Sequence, residues 1–135
     1  MQELPVILYV EDEAHSRKVM RLLANDIGVP QITIFEDSVD FMERVEALDP
    51  KPDLIFLDIH LKPYTGFEML QMLRESRNFS DTLVVAITAS VMNEEVQQLR
   101  VAGFDGCLAK PIDMDTFPDT LQRIMNREEI WRILG

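Results

Sequence analysis

The sequence predicts a doubly wound α/β fold, with a five-stranded parallel sheet flanked by five helices. Two observations carry this. Short apolar runs, mostly continuous rather than alternating, recur along the chain, and continuous hydrophobicity suits strands covered on both faces of a parallel sheet. Between them lie stretches with apolar residues at helical spacing, so strand and helix periods alternate strictly, the order expected of right-handed βαβ crossovers. The 135 residues, 47% hydrophobic and 27% charged, suit one compact domain with its own core.

The first strand is "VILYV", Val6 to Val10, and the helix after it carries Val19, Leu22 and Leu23. "ITIF", Ile32 to Phe35, is the second strand, followed by Phe41, Val45 and Leu48 at helical spacing with Met42 beside them. The turn signals of "DPKPD", Asp49 to Asp53, lead into the third strand, "LIFL", Leu54 to Leu57. Thr65 and Glu68 stand at capping-box spacing and open a third helix marked by Phe67, Leu70 and Leu73. "LVVAIT", Leu83 to Thr88, is the fourth strand; Val96 and Leu99 mark the fourth helix, which Gly103 closes as a C-cap. The fifth strand is "GCLA", Gly106 to Ala109. Phe117, Leu121, Ile124 and Met125 mark the fifth helix, which starts near Thr116 because Pro118 is tolerated in a first turn and not in a helix interior. The domain is expected over residues 1–126, with residues 127–135 as an extension continuing the last helix. There Ile130, Ile133 and Leu134 share one helical face with Trp131 beside them, packing on the domain or, alternatively, forming a docking or dimer surface.

Charge and cysteine usage narrow the partners. Thirteen Lys and Arg against 24 Asp and Glu give a net charge of -11, which repels phosphate backbones and anionic lipid and disfavours direct nucleic-acid or membrane binding. The single Cys107 cannot form an internal disulfide, the N-terminus has no basic n-region, and no apolar run approaches the about 18 residues of a membrane span. The expectation is a reducing, cytoplasmic location without a signal peptide.

In open parallel sheets, sites form beyond the carboxyl ends of the strands. Glu11, Asp12 and Glu13 follow the first strand, Asp58 follows the third, Thr88 ends the fourth, and Lys110 and Pro111 follow the fifth. Crowded carboxylates repel one another, and a hard divalent cation with oxygen ligands relieves that repulsion. Mg2+ suits such a site because it needs few carboxylates. Lys110 and Thr88 are then left to bind a phosphoryl group, as a point charge and a hydroxyl donor. Together these residues describe phosphoryl transfer with Asp58 as the nucleophile. Taken singly, "EDE" is a solvated turn or helix N-terminus, Asp58 a strand-end cap, Thr88 a strand residue and "KP" a turn. Their joint occurrence at the ends of the right strands separates the two readings.

These stretches resemble the receiver domain of two-component response regulators. The matching elements are "YVEDE", "LIFLDIHL", "TGFEML", "VVAITA" and "AGFDGCLAKPID", covering residues 5 to about 125. The resemblance implies a flavodoxin-like sheet of strand order 2-1-3-4-5, Asp58 as phosphoacceptor, and Mg2+ held by Asp12, by Asp58, by Glu11 mainly through a metal-bound water, and by the backbone carbonyl of His60. It further implies that Thr88 and Lys110 hold the phosphoryl oxygens and that the Lys110–Pro111 peptide bond is cis. The donor implied is a phosphohistidine on a sensor histidine kinase or histidine phosphotransfer protein. Output would pass through the fourth helix, fifth strand and fifth helix to a protein partner or homodimer. Such domains assist their own phosphorylation and dephosphorylation without being metabolic enzymes, and no DNA-binding output domain is expected within these 135 residues, which read as a stand-alone receiver or one excised from a longer chain.

Three departures from the family pattern stand out. The proline frequent four residues after the acceptor is displaced, leaving Lys62 there and Pro63 next. Cys107 stands where the family commonly has an aromatic that changes rotamer as the strand-end threonine moves, so it reads as an apolar filler or, alternatively, a reactive redox thiol. His60, like Ser90, occupies a place where side chains block or position the attacking water, or is a solvent-facing loop residue. Two other chemistries remain on the residues alone. An aspartyl-phosphate phosphatase of the haloacid dehalogenase type would show Asp-x-Asp where "DIH" stands, and a flavodoxin-like electron carrier would need a hydroxyl- and glycine-rich loop where "EDEAHS" stands.

Overall fold

The computed structural model describes residues 4–131. Its elements follow the predicted alternation: β1 (Val6–Val10), α1 (Ala14–Ile27), β2 (Gln31–Phe35), α2 (Phe41–Glu46), β3 (Leu54–Asp58), α3 (Gly66–Glu75), β4 (Leu83–Thr88), α4 (Asn93–Ala102), β5 (Gly106–Ala109), α5 (Phe117–Met125) and β6 (Ile130–Trp131). All strand pairings are parallel, in the order β2-β1-β3-β4-β5-β6. The expected order of five strands is present and one edge strand is added.

Continuous hydrophobicity meant burial on both faces. Every residue of β3 and β4 is buried, and successive side chains divide between two clusters. Leu8, Val10, Ile55 and Leu57 join Leu70, Leu73 and Leu99 on one face. Ile7, Tyr9, Leu54 and Phe56 join Leu23, Phe117 and Leu121 on the other. Two predicted helix ends are realised. Thr65 and Glu68 form a full capping box at the start of α3, and Gly103 closes α4 at φ 108, a backbone region that only glycine enters cheaply.

The C-terminal extension departs from expectation. Instead of continuing α5, the chain turns at Arg127, a non-glycine residue at φ 61, whose N–H donates to the Ile124 carbonyl at 2.8 Å, while the Glu128 N–H donates to that of Arg123 at 3.1 Å. These bonds satisfy the last carbonyls of α5 in the manner of a helix C-cap and aim the chain along the β5 edge. Ile130 and Trp131 then form β6; Ile133 and Leu134, the rest of the expected helical face, lie outside the described residues. Among the described residues, no helix is long and apolar enough to cross a membrane.

Candidate functional site

The parallel register delivers the strand-end residues to one edge of the sheet: Val10 lies beside Leu57, Asp58 beside Ile87, and Thr88 beside Ala109. Beyond those positions Glu11, Asp58 and Thr88 are buried, at 0%, 5% and 2% exposure, while Asp12 is open to solvent. One ligand oxygen from each of Glu11, Asp12 and Asp58 lies within 4.8 Å of the others. Lys110 reaches in from the end of β5, with Nζ 3.0 Å from Asp58 Oδ2 and 2.5 Å from Glu11 Oε1.

The remaining oxygens are held by short local bonds. The His60 N–H donates to Asp58 Oδ1 at 3.0 Å, the Tyr9 hydroxyl to Glu11 Oε1 at 2.7 Å, and the Glu13 N–H to Glu11 Oε2 at 3.2 Å. Arg17 Nη1 donates to the Glu11 carbonyl at 3.1 Å. Behind Asp58, α3 begins with its backbone against the strand end. A Cβ on Gly66 would stand 2.9 Å from the Asp58 carbonyl oxygen, so this close approach requires glycine.

Burial and neighbours separate the two inner carboxyls. Glu11 is pushed from 4.5 up to about 7, first by burial and then by its contact with Asp58, against the pull of Lys110 and Tyr9. Burial also acts on Asp58, but the Glu11 contact, the His60 N–H and Lys110 outweigh it and hold its carboxyl below the usual range. Burial pulls Lys110 down, yet Glu11 and Asp58 together hold its ammonium above its ordinary value. The pair therefore divides into a carboxyl that retains its proton toward neutrality and one that stays ionised beside a cation.

This has a measurable consequence. A carboxyl whose folded value is raised contributes stability that is fully present below its unfolded value of 4.5 and is lost as pH rises through about 7. In chelator-treated protein, the melting temperature should fall across that window, and Glu11→Gln should flatten the slope. A wild-type slope retained in Glu11→Gln would assign the loss to other groups.

The remaining predicted residues lie around this cluster. Ser90 is half-buried and its N–H donates to Thr88 Oγ1 at 3.2 Å, so the hydroxyl is tied to the loop leading into α4. His60 is exposed on the rim of a cavity of about 270 Å³, shared with Phe67, Thr88, Ser90, Glu95 and Leu99. The Lys110–Pro111 bond is cis, as the resemblance implied, and so is Lys62–Pro63. Cys107 is fully buried in the core face carrying Leu99 and Phe104, and burial pushes its thiol up to about 11, which leaves it an apolar filler.

Sequence reasoning missed two supports. Tyr9 lies two places before Glu11, on the same side of the extended chain, and strand periodicity carried that signal. Ser38 is fully buried and both donates to the Tyr64 carbonyl and accepts from the Tyr64 N–H, each at 2.8 Å, pinning the loop that carries Lys62 and Pro63. No local pattern pointed to it.

As a donor set, three carboxylates with one open to solvent fit a hard divalent ion of the Mg2+ kind. Comparison with known proteins agrees with this architecture. Residues 7–122 match the family model of the response regulator receiver domain. The polar-differentiation response regulator DivK of Brucella anthropi is 28% identical over 120 residues, spanning 86% of this chain and 92% of that protein. Among solved structures, the receiver domain of a Pseudomonas aeruginosa sensor histidine kinase, with a magnesium ion coordinated in its active site cleft, superposes with a TM-score of 0.79 at 24% identity. It covers 91% of this chain and 98% of that one. The chemotaxis response regulator CheY4 of Vibrio cholerae gives 0.79 at 23% identity, with 90% and 98% covered.

Proposed function

The chain belongs to the response regulator receiver domain family of two-component signalling, and from that premise we propose that it accepts a phosphoryl group from a phosphohistidine onto Asp58 and thereby changes its affinity for a protein partner. The observation that carries this reading is the buried Asp58 carboxyl at the end of β3, 3.0 Å from the Lys110 ammonium and grouped with Glu11 and Asp12 in one acidic cleft.

In the transfer, an Asp58 oxygen attacks phosphorus, the donor's P–N bond breaks with its electron pair on the imidazole nitrogen, and a P–O acyl phosphate bond forms. Lys110 neutralises charge that spreads over the phosphoryl oxygens, and the hydroxyl of Thr88, the last residue of β4, donates to one of them. Glu11, Asp12, Asp58 and the His60 backbone carbonyl would hold Mg2+, which when bound supplies further neutralisation of those oxygens. The magnesium in the cleft of the Pseudomonas receiver supports that assignment. The His60 N–H, at 3.0 Å, fixes the orientation of the acceptor carboxylate.

The histidine-bearing donor is a sensor kinase or phosphotransfer protein. Output passes through the loop after β4, since the Ser90 N–H donates to Thr88 Oγ1 at 3.2 Å and a movement of Thr88 toward a phosphoryl group would pull on the entry to α4. That face, α4, β5 and α5, is the surface assigned to a downstream partner or second copy.

Incubation with acetyl phosphate and Mg2+ tests the reading. Intact-mass analysis should register one added phosphoryl group, lost when a chelator is present, and an unchanged mass with Mg2+ would overturn it. A narrower expectation concerns His60, whose exposed side chain stands at the cavity rim beside Ser90. His60→Ala should change the decay rate of the phosphorylated protein more than its rate of phosphorylation by acetyl phosphate. An unaltered decay half-life would remove His60 from the control of water access.

A further inference from the structure

The β5 edge is closed by the protein's own C-terminal segment. Ile130 pairs with Gly106 and Trp131 with Cys107, in parallel. Consecutive strand residues face opposite sides of a sheet. Ile130 accordingly joins the cluster containing Leu108, Leu121 and Ile124, and Trp131 packs against the cluster containing Leu99, Phe104 and Cys107. Two residues thus fill both sides of the seam between α4 and α5, within the surface assigned to output.

The attachment is specific and light. A Cβ on Gly106 would stand 2.8 Å from the Ile130 carbonyl oxygen, while the nearest atom outside β6 would be Val85 Cγ2 at 3.7 Å, an ordinary contact. The missing side chain of Gly106 therefore makes room for β6 and for little else. From α4, the Arg100 guanidinium lies over the Trp131 ring at 5.1 Å and Nη2 is 3.6 Å from Glu129 Oε2. Both charged side chains of that pair are largely exposed, so water and salt screen it. The Trp131 Nε1 is buried with no hydrogen-bond partner among the described residues, a cost that release of the strand would remove.

We propose that Glu129–Trp131 is a displaceable cover on the α4–β5 surface, released when Asp58 is phosphorylated, so that a partner reaches this edge only in the phosphorylated state. The proposal rests on the phosphoacceptor reading above. Its route is contiguous: Thr88 governs the loop into α4 through Ser90, and α4 holds the cover through Arg100. The exposed edge would accept an extended segment of apolar and aromatic residues by strand addition, because that is the chemistry of its present occupant.

Trp131 is the only tryptophan in the chain, so its fluorescence reports the cover directly. With Mg2+ and beryllofluoride, wild-type emission should shift to the red and acrylamide quenching should rise, with no change in Asp58→Asn. Gly106→Ala should show the exposed signal without beryllofluoride, at unchanged far-ultraviolet dichroism, and Arg100→Ala, which removes the guanidinium over the Trp131 ring, should move in the same direction. Persistent shielding of Trp131 in Gly106→Ala would overturn the mode of attachment. Persistent shielding in wild type with beryllofluoride, in a preparation that gains a phosphoryl group from acetyl phosphate, would overturn the cover and leave the phosphoacceptor reading standing. Absence of that phosphoryl gain would overturn both.

Discussion

Asp58→Asn is expected to abolish phosphoryl gain from acetyl phosphate under conditions in which the wild type is modified to completion. The carboxamide is nearly isosteric and its oxygen can still accept the His60 N–H, so the strand end and the loop after it keep their geometry. What is lost is the nucleophile. Loss of a covalent nucleophile costs on the order of 10⁶ in rate in a serine hydrolase, which here means no detectable mass change. Folding should survive, because Lys110 retains Glu11 as its partner and Glu11 no longer faces the Asp58 charge. Thermal melting checks this, and a folded Asp58→Asn protein that still gains a phosphoryl group would place the acceptor elsewhere.

Lys110→Ala is the second large effect. Its ammonium is the positive charge bonded to both Asp58 and Glu11, and without it two buried carboxyls face each other with no such cation between them. Two consequences follow. The Asp58 carboxyl relaxes upward, so less of it is ionised, and the phosphoryl oxygens lose a preorganised donor. Removal of one such donor costs about 100-fold to 1000-fold in rate. The rate of phosphorylation by acetyl phosphate should fall by that order. Lys110→Arg should recover only part of the loss, because a planar fork does not reproduce a compact point charge. A rate within twofold of wild type for Lys110→Ala would remove the residue from the reaction.

Much of this was legible because it rests on local pattern. Continuous apolar runs such as "LIFL" signalled doubly covered strands, and the rule that sites gather at strand carboxyl ends picked out Glu11, Asp12, Asp58, Thr88 and Lys110. The capping pair Thr65 and Glu68 likewise needs only three residues of spacing. The failure came where long-range contact decided. Ile130, Ile133 and Leu134 have helical spacing, yet the left-handed turn at Arg127 and the space above Gly106 direct Ile130 and Trp131 into a strand. Ser38 was equally hidden, since its partner is 26 residues away. The strand-end chemistry was visible from composition and position, whereas what covers the sheet edge depends on backbone geometry that no periodicity encodes.

Borohydride trapping of the phosphorylated protein tests the central claim most directly. Reduction of an acyl phosphate converts the modified aspartate to homoserine, which peptide mass spectrometry locates. The account predicts homoserine at position 58 alone, formed only when Mg2+ and acetyl phosphate are both present. Homoserine at another aspartate, or a phosphoryl group that resists reduction because it sits on a hydroxyl, would contradict it.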